Sequence, residues 1–218
     1  KAGIKPIFGT EIVHGAQRAV LLAKNLEGFG ELCRVITDRH LKPDFSLIER
    51  LKGCSEAVII LCPDGEILQS LLATRGSENI YMEIDISGKA NLCPISRCPV
   101  VATNRVRLIR PEDWEVHRLL TAIKTNTTIH SVPRSALAPR EAWMKPPGEM
   151  ARLFQEIPSA IANTLKIAEQ CNVELPIGET LLPPLPVNSK NQHSYLKNLA
   201  WEGMQKLYHG DRLKDAIR

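Results

Sequence analysis

The chain has 218 residues, of which 44% are hydrophobic, 24% charged and 5% aromatic, with a formal net charge of +4 at pH 7. That length holds one sizeable core plus an appendage, and ordinary composition argues against a disordered or low-complexity protein. No apolar run reaches the 18 or more residues of a membrane-spanning helix and no secretory signal is visible, which agrees with a soluble intracellular domain, and a cytoplasmic location is expected.

In chain order, Lys5–Ile12 and Arg18–Ala23 read as strands, and a helix follows over Leu26–Thr37 with apolar positions at Phe29, Leu32, Cys33 and Ile36. Ala57–Leu61 is a buried strand, Gly65–Leu72 a helix, Ile80–Ile86 a strand and Val100–Thr103 another. Pro111 opens a helix that carries Trp114, His117, Leu119, Leu120 and Ile123 to about Lys124. The β-α-β-α order predicts a mostly parallel sheet. From residue 126 the texture changes. Thr125–Ala138 is a polar, proline-containing crossing, and helices follow over Pro147–Gln155 and from Pro158 to Gln170. Pro176, Pro183, Pro184 and Pro186 then predict extended chain, before a last helix over Gln192–Tyr208. The expected division is an α/β domain over 1–125 and a linker region over 126–218.

Val101-Ala102-Thr103-Asn104-Arg105-Val106-Arg107 is the most informative stretch. Chemistry in α/β folds gathers at the carboxyl ends of strands, and this segment sits at such an end. Two arginines one residue apart on a strand point to the same face, so Arg105 and Arg107 are expected to project together into a site there and to hold a phosphate or a carboxylate. A guanidinium offers donors only, so the pair cannot ligate a metal.

Several further segments point to a family. They include Gly3-Ile4-Lys5-Pro6-Ile7 with Gly9 and Glu11, Leu21-Leu22-Ala23-Lys24-Asn25 with Glu27-Gly28, and Leu32-Cys33-Arg34-Val35-Ile36-Thr37. Arg110-Pro111-Glu112-Asp113, Glu149-Met150-Ala151-Arg152-Leu153-Phe154 and Ala160-Ile161-Ala162-Asn163-Thr164 leading to Cys171-Asn172-Val173 continue the match. Over roughly residues 1–208 the chain resembles the PHP (polymerase and histidinol phosphatase) domain of bacterial DNA polymerase III alpha subunits, or of a close alpha-like paralogue. Residues 40–97 are shorter and more divergent than is usual there. The resemblance implies a distorted (βα)7 barrel, incomplete at its N-terminus, followed by a helical linker leading toward a polymerase palm.

Active members of that family line the barrel mouth with His, Asp, Glu and Cys ligands for two or three metal ions, which activate water and neutralise phosphoester charge. The family's opening His-x-His has no counterpart, since the chain begins after it. Glu11 matches a glutamate ligand, and Cys62 falls where a ligand-grade cysteine stands. Arg18 occupies a position often held by histidine, and Arg105 and Arg107 replace a closing Asp-x-His. Two candidate ligands in a basic setting are too few for a stable site. The expected site is therefore vestigial (Glu11, Arg18, Cys62, Arg105, Arg107), with no catalytic residue and no cofactor. Arginines that pair with Glu11, Glu83 or Asp85 are weighed there against an anion-binding pocket and plain solvent exposure.

The role this implies is a scaffold and partner-binding module. The expected partners are the proofreading exonuclease subunit and other replisome subunits, with DNA reached through a parent polymerase that uses Mg. One alternative is a metal-dependent phosphoesterase or 3′–5′ exonuclease in which Glu11 and Cys62 hold Zn, Mn or iron. Another is a DNA-binding module whose arginines contact phosphates. Six cysteines without a Cys-x-x-Cys read as reduced and structural, with Cys33, Cys98 and Cys171 in buried patterns. His14 reads as a loop or surface residue, His117 as a packed or half-exposed one, and Asp64-Gly65 as a turn.

Overall fold

The computed structural model describes residues 3–86, 98–180 and 192–209. Five strands form one sheet in the order β1 (Gly9–His14), β2 (Gln17–Ala23), β3 (Val58–Cys62), β4 (Ile80–Asp85) and β5 (Val100–Thr103). The mixed α/β class is as expected, whereas the sheet formed by the described residues is open and five-stranded rather than a closed barrel. It is also less parallel than the alternation of elements predicted. β1 and β2 make an antiparallel hairpin and β2 runs antiparallel to β3, while only β3–β4 and β4–β5 are parallel. The hairpin turns at Gly15, whose φ of +60° is the left-handed conformation glycine adopts without a Cβ penalty. Predicted strand 5–12 therefore begins later, at Gly9.

All five residues of β3 are buried, as expected of a strand covered on both faces. Alternation sends Val58, Ile60 and Cys62 to one face, with Leu21, Ile80 and Met82. There they pack against α1 (Leu26–Leu41), α2 (Leu47–Lys52) and α3 (Gly65–Arg75) through Leu32, Val35, Leu47, Leu51, Ile67 and Leu71. Ile59, Leu61, Tyr81 and Val101 take the other face, beneath Ile167 of α6 (Pro158–Gln170) and Cys171, which caps that helix. At the β5 edge, Asn163 Nδ2 donates to the Val100 carbonyl at 2.7 Å. Such a side-chain donor satisfies an edge acceptor that a further strand would otherwise take.

The helices start where their caps put them. Asn25 Oδ1 accepts from Gly28 N at 3.0 Å to open α1. Asp64 Oδ1 accepts from Glu66 N and Ile67 N at 2.9 and 3.1 Å, so Asp64 caps α3. The short helix α2 has no counterpart among the predicted elements. Arg50 ties it to α1, at 2.8 Å from both Asp38 and Glu31. Cys33 is exposed on α1, against its expected burial, because Leu32 and Val35 define the inward side of that helix. Among the described residues Cys33, Cys54, Cys62, Cys98 and Cys171 are free thiols.

The compact unit containing the sheet runs to Leu175 and so includes α4 (Asp113–Lys124), α5 (Pro147–Leu153) and α6. α4 turns Thr121 and Ala122 inward and leaves Val116, Leu119, Leu120 and Ile123 exposed, a continuous apolar stripe at helical spacing. A second unit, from Pro176, contains α7 (Gln192–Leu207). Most of the predicted extended segment over 176–187 lies outside the described residues. No helix among them is long and apolar enough to cross a membrane.

Candidate functional site at the carboxyl ends of the parallel strands

β2 runs opposite to β3, so its first residues lie beside the carboxyl ends of β3 and β4. This places Arg18 over Glu83, an acid in the middle of β4 that is buried with its side chain 3% exposed. A buried carboxylate needs a partner, and here it has two. The Arg18 guanidinium grips it with both terminal nitrogens, Nη2 donating to Oε1 at 3.1 Å and Nη1 to Oε2. Thr103 Oγ1, from the end of β5, donates to Glu83 Oε1 at 2.8 Å. Arg18 Nε donates to Glu11 Oε1 across the β1–β2 hairpin. One guanidinium thus bridges two carboxylates from different strands, a task suited to its planar fork of donors.

The electrostatics follow from that geometry. Burial works against the charged Arg18, but the hydrogen bonds it donates to Glu83 and Glu11 outweigh it and raise its pKa further above the ordinary arginine value. The hydrogen bond from Arg18 holds the Glu11 carboxyl below the usual carboxylate range. Partial burial opposes this, and the nearby charges of Arg105 and Arg107 add to it. Glu11 is therefore a fixed carboxylate, ill-suited to donate a proton near neutral pH.

Arg105 and Arg107 reach this site by a route other than the predicted one. β5 ends at Thr103, and Arg105 has a φ of +44°, so the residues do not share a strand face. The segment is held instead by the strap over 142–144. Asn104 Nδ2 donates to the Trp143 carbonyl at 2.6 Å, and Arg107 N to the Ala142 carbonyl at 2.7 Å. Arg105 Nη2 lies 3.7 Å from Glu11 Oε1, an ion pair longer than a hydrogen bond. Both arginines line a cavity of about 180 Å³ with Glu11 and Arg18, and a neighbouring one of about 280 Å³ that also has Asp85 and Glu141 in its wall.

Cys62 stands apart. Glu11 shares its sheet face with Val20 and Leu61, and Cys62 points to the opposite face, into the core beneath the helices. Burial pushes its thiol up to about 12. It donates to the Arg18 carbonyl at 3.3 Å. A protonated buried thiol on one face and an arginine-bound carboxylate on the other do not fit a shared metal ion. Among the described residues no three His, Cys, Asp or Glu side chains are grouped as a metal would need.

Two of the histidines have structural surroundings. His117 Nε2 accepts from Ala138 N at 2.9 Å, and the His14 ring meets Phe45 edge-on at 5.5 Å. Thr103, which completes the Glu83 cluster, was not foreseen as part of the site. Its position as the last residue of β5, on the face that carries Glu83, is the signal that could have found it.

No family model matches the chain. Curated relatives do. A protein named DNA polymerase III subunit alpha from Pseudomonas aeruginosa is 31% identical over 94% of this chain and 21% of its own length. Proteins of the same name from Pasteurella multocida and Escherichia coli are 25% identical over 100% of the chain and 33% identical over 66% of it. They are matched over 22% and 12% of their own lengths, so the chain spans about a fifth or less of these relatives. Across nearly its whole length, this chain is a region related to proteins named DNA polymerase III subunit alpha.

Proposed function

We propose that this region is a degenerate PHP-type domain of a DNA polymerase III alpha protein, serving as a scaffold in DNA replication. The observation that carries the reading is the Arg18 clamp. Where an active domain would gather metal ions, a guanidinium neutralises Glu83 and Glu11. That cation is fixed, cannot polarise water as a metal does, and leaves no free base. The nucleotidyl transfer of such a protein, with its Mg, then belongs to other parts of the polypeptide, in the cytoplasm. The phosphoesterase alternative needs Glu11 and Cys62 together, and they lie on opposite sheet faces.

Elemental analysis of protein purified without chelator tests this, alongside hydrolysis assays on p-nitrophenyl phosphate and 3′-labelled single-stranded DNA. The expected result is no stoichiometric Zn, Mn or Fe and no hydrolysis. One equivalent of metal that is lost in Glu11→Ala, together with hydrolysis, would overturn the scaffold reading.

The scaffold also serves as a binding module, with the proofreading exonuclease subunit as partner. The apolar stripe on α4 is the surface that supports this, since four large aliphatic side chains gain burial only from something docked upon them. Leu119→Glu with Leu120→Glu is expected to weaken capture of the exonuclease subunit at least tenfold, while the melting temperature stays within about 2 °C because both residues are already exposed. Unchanged capture would remove α4 from the interface.

A further inference from the structure

A second basic cavity lies away from the Arg18 clamp, between α4 and the loop that follows it. Its volume is about 610 Å³, and its wall contains Trp114, Arg118, His130, Arg134 and Arg140 with no carboxylate. The two cavities that Arg105 and Arg107 line differ in this respect, since Glu11 stands in one and Asp85 with Glu141 in the other. Three guanidiniums without an acid in the wall are a positive depression, and a concave wall concentrates its field on whatever anion enters.

Two of the three arginines, Arg118 and Arg140, are pre-oriented. Trp114 is fixed by its Nε1, which donates to the Ala138 carbonyl at 3.0 Å. The Arg140 guanidinium lies over that ring with its central carbon 4.0 Å from the centroid, and the Arg118 carbon is 5.9 Å away. Arg118 Nε also donates to the Ile129 carbonyl at 3.1 Å, which joins α4 to the loop. Glu115, outside the wall, sits 3.6 Å from both Arg118 Nη1 and Arg140 Nη2. At that distance it steadies them without filling their donor positions. Arg134, on the single-turn 3-10 helix Arg134–Ala136, is exposed and has no ion pair among the described residues.

We propose that this cavity is a phosphate-binding site, with Arg118, Arg134 and Arg140 as its donors and Trp114 as the platform that sets two of them. Phosphate is the class that fits. Several guanidiniums converging on one space match its three or four acceptor oxygens, whereas a lone carboxylate is satisfied by one guanidinium fork. The tryptophan face nearest Arg140 is already covered, so recognition is of the phosphate and not of a base. Two sources supply such a group, the backbone of single-stranded DNA and a free phosphoanion such as pyrophosphate. The first rests on the replication reading above, and the second does not.

The test uses the 218-residue chain with two probes. Anisotropy of a labelled 12-nucleotide single strand is followed between 50 and 200 mM salt, and pyrophosphate binding is followed by tryptophan fluorescence. Arg134→Glu with Arg140→Glu is expected to weaken binding at least tenfold. Losing two phosphate contacts should also flatten the log–log salt slope by about 1.4, or about 0.7 per contact on a single strand. Both side chains are exposed, so the fold is expected to survive. Arg105→Glu with Arg107→Glu, the control, should leave affinity within twofold. Binding of both probes, or of either alone, with this variant pattern supports the site and identifies the source. No binding of either probe, or affinity that follows Arg105 and Arg107 instead, overturns it. Loss of the oligonucleotide signal alone, with pyrophosphate retained, counts against the DNA source and leaves the site standing.

Discussion

Replacing Arg18 with methionine is expected to lower the melting temperature by roughly 6–20 °C. The variant leaves Glu83 buried, with a side chain 3% exposed, and removes both guanidinium donors that neutralise it. Breaking a buried ion pair from one side costs about 3–5 kcal/mol, because the surviving charge stays desolvated without compensation. In a domain of 150–250 residues each kcal/mol corresponds to about 2–4 °C. Among the described residues only Thr103 Oγ1 would remain bonded to the carboxylate, and one hydroxyl does not replace a charged fork. Arg18→Lys should recover part of the loss, since an ammonium restores charge but cannot span Glu11 and Glu83 in one plane.

The sharper measurement is the double-mutant cycle with Glu83→Gln. Arg18→Met and Glu83→Gln each strand a charge or a donor, whereas the double variant leaves neither ion, and the amide oxygen introduced at position 83 can still accept from Thr103. The double variant is expected to be more stable than Arg18→Met alone, with a coupling of about 0.5–3 kcal/mol. A melting temperature within 1 °C of the parent in Arg18→Met would mean that the guanidinium is incidental. The reading of Arg18 as a resident cation would then fail.

The elements that burial dictates were legible in the sequence. The run at 58–62, the strand over Val100–Thr103 and the helix that Pro158 opens all stand within a residue or so of their predicted places. What alternation cannot supply is strand direction. Gly15 between two short apolar runs was a hairpin signal, and two residues of turn can join only antiparallel strands. The reversal between β2 and β3 has no local mark, because two helices intervene. α2 was missed because six residues are too few for a helical period to declare itself.

At the site, residue types were legible and their partners were not. Arg18 reaches Glu83 across 65 positions, a distance that no spacing rule covers. The inference that Arg105 and Arg107 share a face required β5 to continue beyond Thr103, and the left-handed turn at Arg105 ends it. The Cys62 and Glu11 pairing failed for a simpler reason. Period two fixes a face only once register is known, and register places Cys62 with Ile60 and Glu11 with Leu61.

Gly28→Ala and Gly30→Ala, two residues apart on α1, are expected to change stability in opposite directions. Alanine is preferred over glycine inside a helix by about 0.8–1 kcal/mol, so propensity alone favours both substitutions. At Gly30 an added Cβ would meet only Arg34 Nη1 at 3.5 Å, an ordinary contact with the end of a flexible side chain. At Gly28 it would lie 2.2 Å from the Ala57 carbonyl oxygen and 3.3 Å from Ala23 Cα. Neither neighbour can yield cheaply. The Ala57 oxygen accepts from Lys24 N at 2.9 Å where β2 leaves its ladder with β3, and moving it opens the same pair of strands that carries Arg18. Overpacking costs about 1–3 kcal/mol and more where backbone must shift. With backbone as the neighbour the upper end of that range applies, so the expected net loss for Gly28→Ala is about 2 kcal/mol after the propensity gain is subtracted, against a gain of up to about 1 kcal/mol for Gly30→Ala. Thermal melts of both variants check the sign directly. A stabilised Gly28→Ala would show that α1 can lift from the sheet without penalty, and that the strand register presenting Arg18 to Glu83 does not depend on that close approach.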